Sequence, residues 1–160
     1  MHKVYNHKEI AARIKTMICD NHLFRDIHLS RETLAKELEI SPARISTIFQ
    51  EEIGTSFYDF VNRQRTYHAR RLLKSAVHKN DTLEDIALQS GFSNRMTMHR
   101  MYLKVYGITP GDERKNNKRK NEQELSILRR TFRRYSDASL PITRFRGIVV
   151  KSETIHILSL

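Results

Sequence analysis

A chain of 160 residues with 29 Lys and Arg against 18 Asp and Glu carries a formal net charge of +11 and a pI near 10.0. That length makes one large domain or two very small ones, and a hydrophobic content of 39% supplies a core and excludes wholesale disorder. The single Cys19 excludes an intramolecular disulfide framework and any cysteine-rich zinc module. No apolar run approaches the ~20 residues of a membrane span, and the polar start does not read as a signal peptide. Basicity points to a polyanion, but nucleic acid, an anionic membrane surface and a ribosome satisfy it equally. The charge is uneven: residues 1–111 hold 17 Lys/Arg and 12 Asp/Glu, a net of +5, whereas residues 112–146 hold 11 and 5, a net of +6.

Taken in chain order, the apolar residues recur at helical spacing. Ile10, Ile14, Met17 and Ile18 form the stripe of a first amphipathic helix. Ser30 is placed to cap a short helix bearing Leu34, Ala35 and Leu38. Ser41-Pro42 joins an N-cap to proline at the first helical position, and the helix it opens presents Ile45, Ile48 and Phe49 before Gly54 stops it. Residues 56–74 contain neither Gly nor Pro and predict one long helix. Thr82 with Asp85 resembles a capping box for a helix carrying Leu83, Ile86 and Ala87, ended by Gly91. Ser93 is placed to cap a last helix with Met98, Met101, Tyr102 and Val105 on one face, closed by Gly107 and Pro110.

The two halves repeat. Leu34-Ala35 corresponds to Ile86-Ala87, and, after one extra residue, Ile45, Phe49 and Gly54 correspond to Met98, Tyr102 and Gly107. Each unit is a short helix, a tight turn and a second amphipathic helix, the plan of a helix-turn-helix. In that motif the outward face of the second helix, near its N-terminus, reaches base edges in the major groove. At ~100° per residue, the face opposite Ile45, Ile48 and Phe49 is Ala43 and Thr47, flanked by Arg44 and Ser46. In the second unit the corresponding face is Met96 and Arg100, flanked by His99, with Arg95 at the exposed start. The repeat independently pairs Ala43 with Met96 and Thr47 with Arg100. Arg95 and Arg100 can each fork onto O6 and N7 of guanine, or contact phosphates; Ala43 and the Thr47 methyl suit thymine methyls.

An enzyme is not expected. The eight His are scattered without metal-ligand spacing, no glycine-flanked nucleophile turn occurs, and the five Gly form no phosphate loop. No metal or cofactor is expected.

Residues 10–114 resemble the AraC/XylS-type DNA-binding domain, in particular its small stand-alone MarA/SoxS/Rob type. The resemblance is carried by Leu34-Ala35, Ser41, Ile48-Phe49 and Gly54-Thr55-Ser56-Phe57, then by Arg65, Ala69 and Leu72-Leu73. Its most specific stretch runs through Ile86-Ala87, Gly91-Phe92-Ser93, Arg100, Tyr102 and Gly107-Ile108-Thr109-Pro110. The resemblance implies a mainly α fold of seven helices, with helix-turn-helix units at about 31–51 and 83–106 joined by a linker helix over 56–74. It further implies sequence-specific binding to double-stranded promoter DNA in successive major-groove segments, activation of bacterial promoters by contact with RNA polymerase, and a cytoplasmic, nucleoid-associated protein without membrane contact. Two unlike recognition helices favour a monomer on an asymmetric site. The family usually has aromatic residues where this chain has Thr97, Met98 and Glu113, so recognition-helix packing and docking of the last short helix are expected to differ. Only about nine residues precede the first helix, so the effector or dimerisation domain of full-length relatives is expected to be absent.

The domain is expected to span residues 1–114, leaving 115–160 as a basic extension. There Leu125, Leu128 and Phe132 mark a basic amphipathic helix over 122–135 with Arg129, Arg130, Arg133 and Arg134, and residues 142–150 and 154–158 read as a small β-hairpin. Self-association, contact with DNA backbone and a vestigial tail all remain open for this extension. A second class of function is a non-specific basic architectural nucleic-acid-binding protein driven by the Arg-rich tail.

Overall fold

Capping side chains decide where the helices of this chain begin. In a computed structural model, which describes residues 6–135, 148–151 and 154–157, the Asn6 carboxamide accepts from the Lys8 N–H and opens α1 (His7–Lys15). Ser30 and Thr33 exchange reciprocal bonds of 3.1 and 2.9 Å to open α2 (Arg31–Glu37). Ser41 accepts from the Arg44 N–H at the start of α3 (Pro42–Ile48), where Pro42 has no N–H to satisfy. Ser56 caps α4 (Phe57–Lys74), Thr82 and Asp85 form a capping box for α5 (Leu83–Gln89), and Asn94 caps α6 (Arg95–Tyr106). Asn94, rather than the expected Ser93, is the cap because its carboxamide oxygen takes the Thr97 N–H at 2.9 Å. Helices α1 and α3 each continue through a wider π-type turn, over Thr16–Asp20 and Phe49–Ile53, the latter stopped by Gly54 at a φ of +76°.

The mainly helical architecture is as expected, and among the described residues it comprises seven α-helices. The last of them differs in extent. A short helix after Pro110 and a separate helix over 122–135 were the expectation, whereas α7 (Pro110–Tyr135) is a single helix of 26 residues. Thr109 caps it by accepting from the Asp112 N–H, and from Asp112 onward no Gly or Pro interrupts it. The chain divides into two compact units, Met1–Asn117 and Lys118–Leu160. Within the second, Leu125 is exposed and Leu128 half-buried, and β1 (Ile148–Lys151) pairs antiparallel with β2 (Thr154–Ile157), Ile148 opposite Ile157. Residues 142–147 and 158 of the expected hairpin, and the side chains of Phe132, Arg133 and Arg134, lie outside the described residues. Among the described residues, no helix is long and apolar enough to cross a membrane.

Two hydrophobic cores occupy the first unit. One gathers Ile14, Ile18, Leu34, Ile45, Ile48 and Phe49; the other gathers Ile86, Ala87, Phe92, Met98 and Tyr102. Helix α4 serves both, giving Phe57 and Val61 to the first and Ala69 and Leu73 to the second. These four residues fall on an i, i+4 row that winds by about 40° at each step, so the two pairs face about 120° apart and a single helix becomes a common wall of two cores.

Glu113 shows how the second core accepts an acid where the family resemblance leads one to expect an aromatic ring. Its side chain is 6% exposed, and its carboxylate meets Arg70 Nε at 3.2 Å and Lys74 Nζ at 3.5 Å. The Tyr102 hydroxyl donates to it at 3.2 Å, and the Arg70 guanidinium lies 4.2 Å from the centre of the Tyr106 ring. Burial and the adjoining Glu113 charge push the Tyr102 phenol well above the ordinary tyrosine value, so it remains a donor. Helix α7 is thus docked by an ionic cluster instead of a ring. Replacing Glu113 by Gln keeps an acceptor for Tyr102 and removes both ion pairs. Because Arg70 and Lys74 retain access to water, the expected loss is about 1–3 kcal/mol in urea unfolding; no loss would exclude the cluster as the docking element.

His68, on α4, lies edge-on to Phe24 with ring centres 5.5 Å apart. Burial, reinforced by the Arg25 and Arg71 charges, pushes its imidazole down to about 4. The unfolded chain therefore binds this proton more readily than the folded one. The stability that neutral His68 contributes is complete above about pH 6.5 and is lost progressively as the pH falls towards about 4. Urea melts across that window should show the decline, and His68→Gln should flatten it; an unchanged slope would place its origin elsewhere.

Candidate nucleic-acid interface

The two second helices, α3 and α6, turn their apolar faces inward and their polar faces outward. On α3, Ile45 and Ile48 are fully buried, whereas Ala43 and Thr47 are exposed and Arg44 and Ser46 half-buried. On α6, Met98 and Tyr102 are fully buried, whereas Arg95, Met96 and Arg100 are exposed and His99 half-buried. The first two methionines of α6 separate sharply, Met96 being 63% exposed and Met98 0%. Each set of four candidate residues is thereby brought together along one outward strip near the start of its helix.

Local hydrogen bonds decide what each side chain on α3 can offer. The Thr47 hydroxyl donates back to the Ala43 carbonyl at 3.3 Å, which turns its polar atom along the helix and leaves its methyl outward. The Ser46 hydroxyl donates to the Pro42 carbonyl and accepts from Arg31 Nη1 at 3.0 Å. Ser46 is therefore a less available partner than its sequence position suggests. The face of α3 is small and weakly polar, whereas α6 begins with two exposed guanidiniums and an exposed thioether.

Arg31 escaped the sequence reading. It opens α2, lies 5.9 Å from the centre of the exposed Tyr58 ring, sits 3.5 Å from Glu32, and holds Ser46. Its Nε is buried without a hydrogen-bond partner. The repeat conceals it, because the matching position in the second unit is Leu83. The available signal was its place at the first position of a helix that precedes a recognition helix, a position that helix-turn-helix proteins set against the DNA backbone.

The second unit is oriented from the opposite side. Lys104 of α6 donates to Asp59 of α4 at 2.9 Å, and the hydrogen bonds from Lys104 and then Ser56 hold the Asp59 carboxyl below the usual range. Arg114 Nη1 donates to the Asp81 carbonyl at 2.7 Å, tying α7 to the loop that precedes α5. The first contact joins α6 to the linker helix through an exposed pair, and the second joins α7 to the loop before α5.

Comparison with known proteins agrees with this geometry. Residues 34–116, just over half of the chain, match a family model described as a helix-turn-helix domain. The HTH-type transcriptional regulator Rv1931c of Mycobacterium tuberculosis is 35% identical over 82 residues, 51% of this chain and 30% of that protein. The chain thus spans less than a third of the length of the first curated relatives it matches. A probable AraC family transcriptional regulator from Rhodopseudomonas palustris superimposes with a TM-score of 0.58 at 25% identity, covering 71% of this chain and 98% of that one. The DNA-binding domain of AdpA, solved with a target DNA, shares the fold with a TM-score of 0.61 at 18% identity, covering 71% and 96%. With the paired helix-turn-helix units, the shared linker helix and the family match in agreement, the chain belongs to the AraC/XylS-type helix-turn-helix family.

Proposed function

We propose that this protein is a sequence-specific, double-stranded DNA-binding transcriptional regulator that sets α3 and α6 into successive major-groove segments of a bacterial promoter. The observation that carries the reading is the pair of outward strips on repeated units, each backed by a buried core and presenting different chemistry. Ala43 and the Thr47 methyl suit thymine methyls, and Arg95 and Arg100 suit guanine edges, with Arg44, Ser46, Met96 and His99 completing the two strips. AdpA, which shares the fold, has been solved with DNA, and Rv1931c is named a transcriptional regulator; both support the reading. The unlike strips favour one chain on an asymmetric site. By family resemblance the protein activates transcription through RNA polymerase in the cytoplasm, which transcription in vitro with and without the selected site would decide.

Selection of sites from random duplex DNA is the direct test. A specific regulator should prefer its selected site over random duplex by ~10³ or more at one salt concentration. A ratio near unity would favour the non-specific architectural reading instead. Arg100→Ala should weaken the selected site by about 1–3 kcal/mol and relax discrimination at one guanine position. An equal loss for every base substitution would assign Arg100 to a phosphate. Met96→Ala serves as the folding control, since truncation of so exposed a side chain should leave stability within about 0.5 kcal/mol.

A further inference from the structure

The turns of the two helix-turn-helix units share a backbone geometry and differ in one residue. Glu39 in the first turn has a φ of +54°, and Gly91 occupies the matching place in the second with a φ of +85°. The first unit thus tolerates a side chain in this left-handed conformation. Something other than φ explains the glycine. A Cβ on Gly91 would overlap the Phe24 carbonyl oxygen and lie 2.7 Å from the Arg25 Cα, both of them backbone atoms of the segment leading into the first unit. The turn of the second unit rests directly on the first.

The same segment is held from a third side. From α4, Arg65 donates through Nε to the Phe24 carbonyl at 2.7 Å and through Nη2 to the Asp26 carbonyl at 2.8 Å. Arg25 then reaches across, its Nε donating to the Gln89 carbonyl at 3.3 Å. Phe24 itself is 5% exposed and belongs to the first core. Residues 24–26 therefore join the first core, the linker helix and the turn that leads through Asn94 into α6.

From this geometry we infer that Arg65 and Gly91 are positioning residues that fix the angle between the two units, and so set the one spacing of paired half-sites that the chain can read. The inference rests on the DNA-reading function proposed above. A helix shared by two cores constrains separation well but leaves a hinge about its own axis, and the contact at residues 24–26 removes it. One inserted base pair turns a half-site by about 35° and moves it about 3.4 Å. A rigid pair of readers cannot follow such a change without losing one set of contacts, whereas a hinged pair can.

The test uses the full chain with Arg65→Met, Arg65→Lys and Gly91→Ala, each checked for folding by circular dichroism. Binding is measured to the selected site and to versions with one base pair inserted or removed between its halves. The parent should lose ~10-fold or more for either change, and Arg65→Met and Gly91→Ala should narrow that loss to ~3-fold or less. Arg65→Lys, which keeps the charge and loses the fork, should fall between them. In parallel, spin labels at Glu37→Cys and Glu84→Cys in a Cys19→Ala background report the distance between units without DNA. A narrow distribution in the parent should broaden or shift in the variants. Folded variants with an unchanged distribution and an unchanged spacing penalty would overturn the inference, as would an equal loss on all three DNAs. A parent that selects no bipartite site would defeat the DNA-reading function, and the spin-label distances would still decide the junction.

Discussion

The carbonyl oxygen of Phe24 is the point on which the arrangement of this molecule turns. It belongs to a buried residue, so it needs a donor, and Arg65 supplies one from the middle of the linker helix. Because a guanidinium donates in a fixed fork, the same side chain also fixes the Asp26 carbonyl. The backbone around that carbonyl then forms the surface on which Gly91 lies. A single satisfied acceptor thereby connects the first core, the shared helix and the approach to the second recognition helix.

Packing explains why so little else is needed to hold two small units together. Neither core stands alone against water, since each takes a wall from α4, and the residues that form those walls lie about one and two turns from the Arg65 fork. The ionic cluster around Glu113 plays a similar part at the far end. An acid buried beside Arg70, Lys74 and Tyr102 substitutes directional contacts for an aromatic ring, and the helix it docks is fixed by geometry as much as by area.

Much of this was legible in the residues because the signals are local. Ser41-Pro42, Thr82 with Asp85, and the Gly-free run over 56–74 each act within a few positions, and the helices began where they indicated. The inward faces of α3 and α6 followed from helical periodicity, and Ile45, Ile48, Met98 and Tyr102 are buried accordingly. What escaped depends on partners distant in sequence. Arg65 could be read as part of a family pattern, but its two carbonyl acceptors lie about forty residues away. Arg31 was hidden by a repeat that it breaks, and the engagement of Ser46 followed from it. Glu113 was legible only as a departure, because its compensation by Arg70 lies on another helix. The unbroken course of α7 escaped for a different reason: a change of composition near residue 115 suggested that one helix ended and another began there, whereas α7 continues through it.

The join between Arg25 and Gln89 also has a consequence for how the molecule comes apart. It spans 64 positions of chain, whereas each helix-turn-helix closes over a short stretch. Long closures carry the larger loop entropy and form only on surfaces already built, so this contact depends on both cores being in place. Local opening of either unit therefore releases the join before it releases the partner core. The molecule has an intrinsic order of loosening, in which the relative aim of its two halves is surrendered first and their internal folds last.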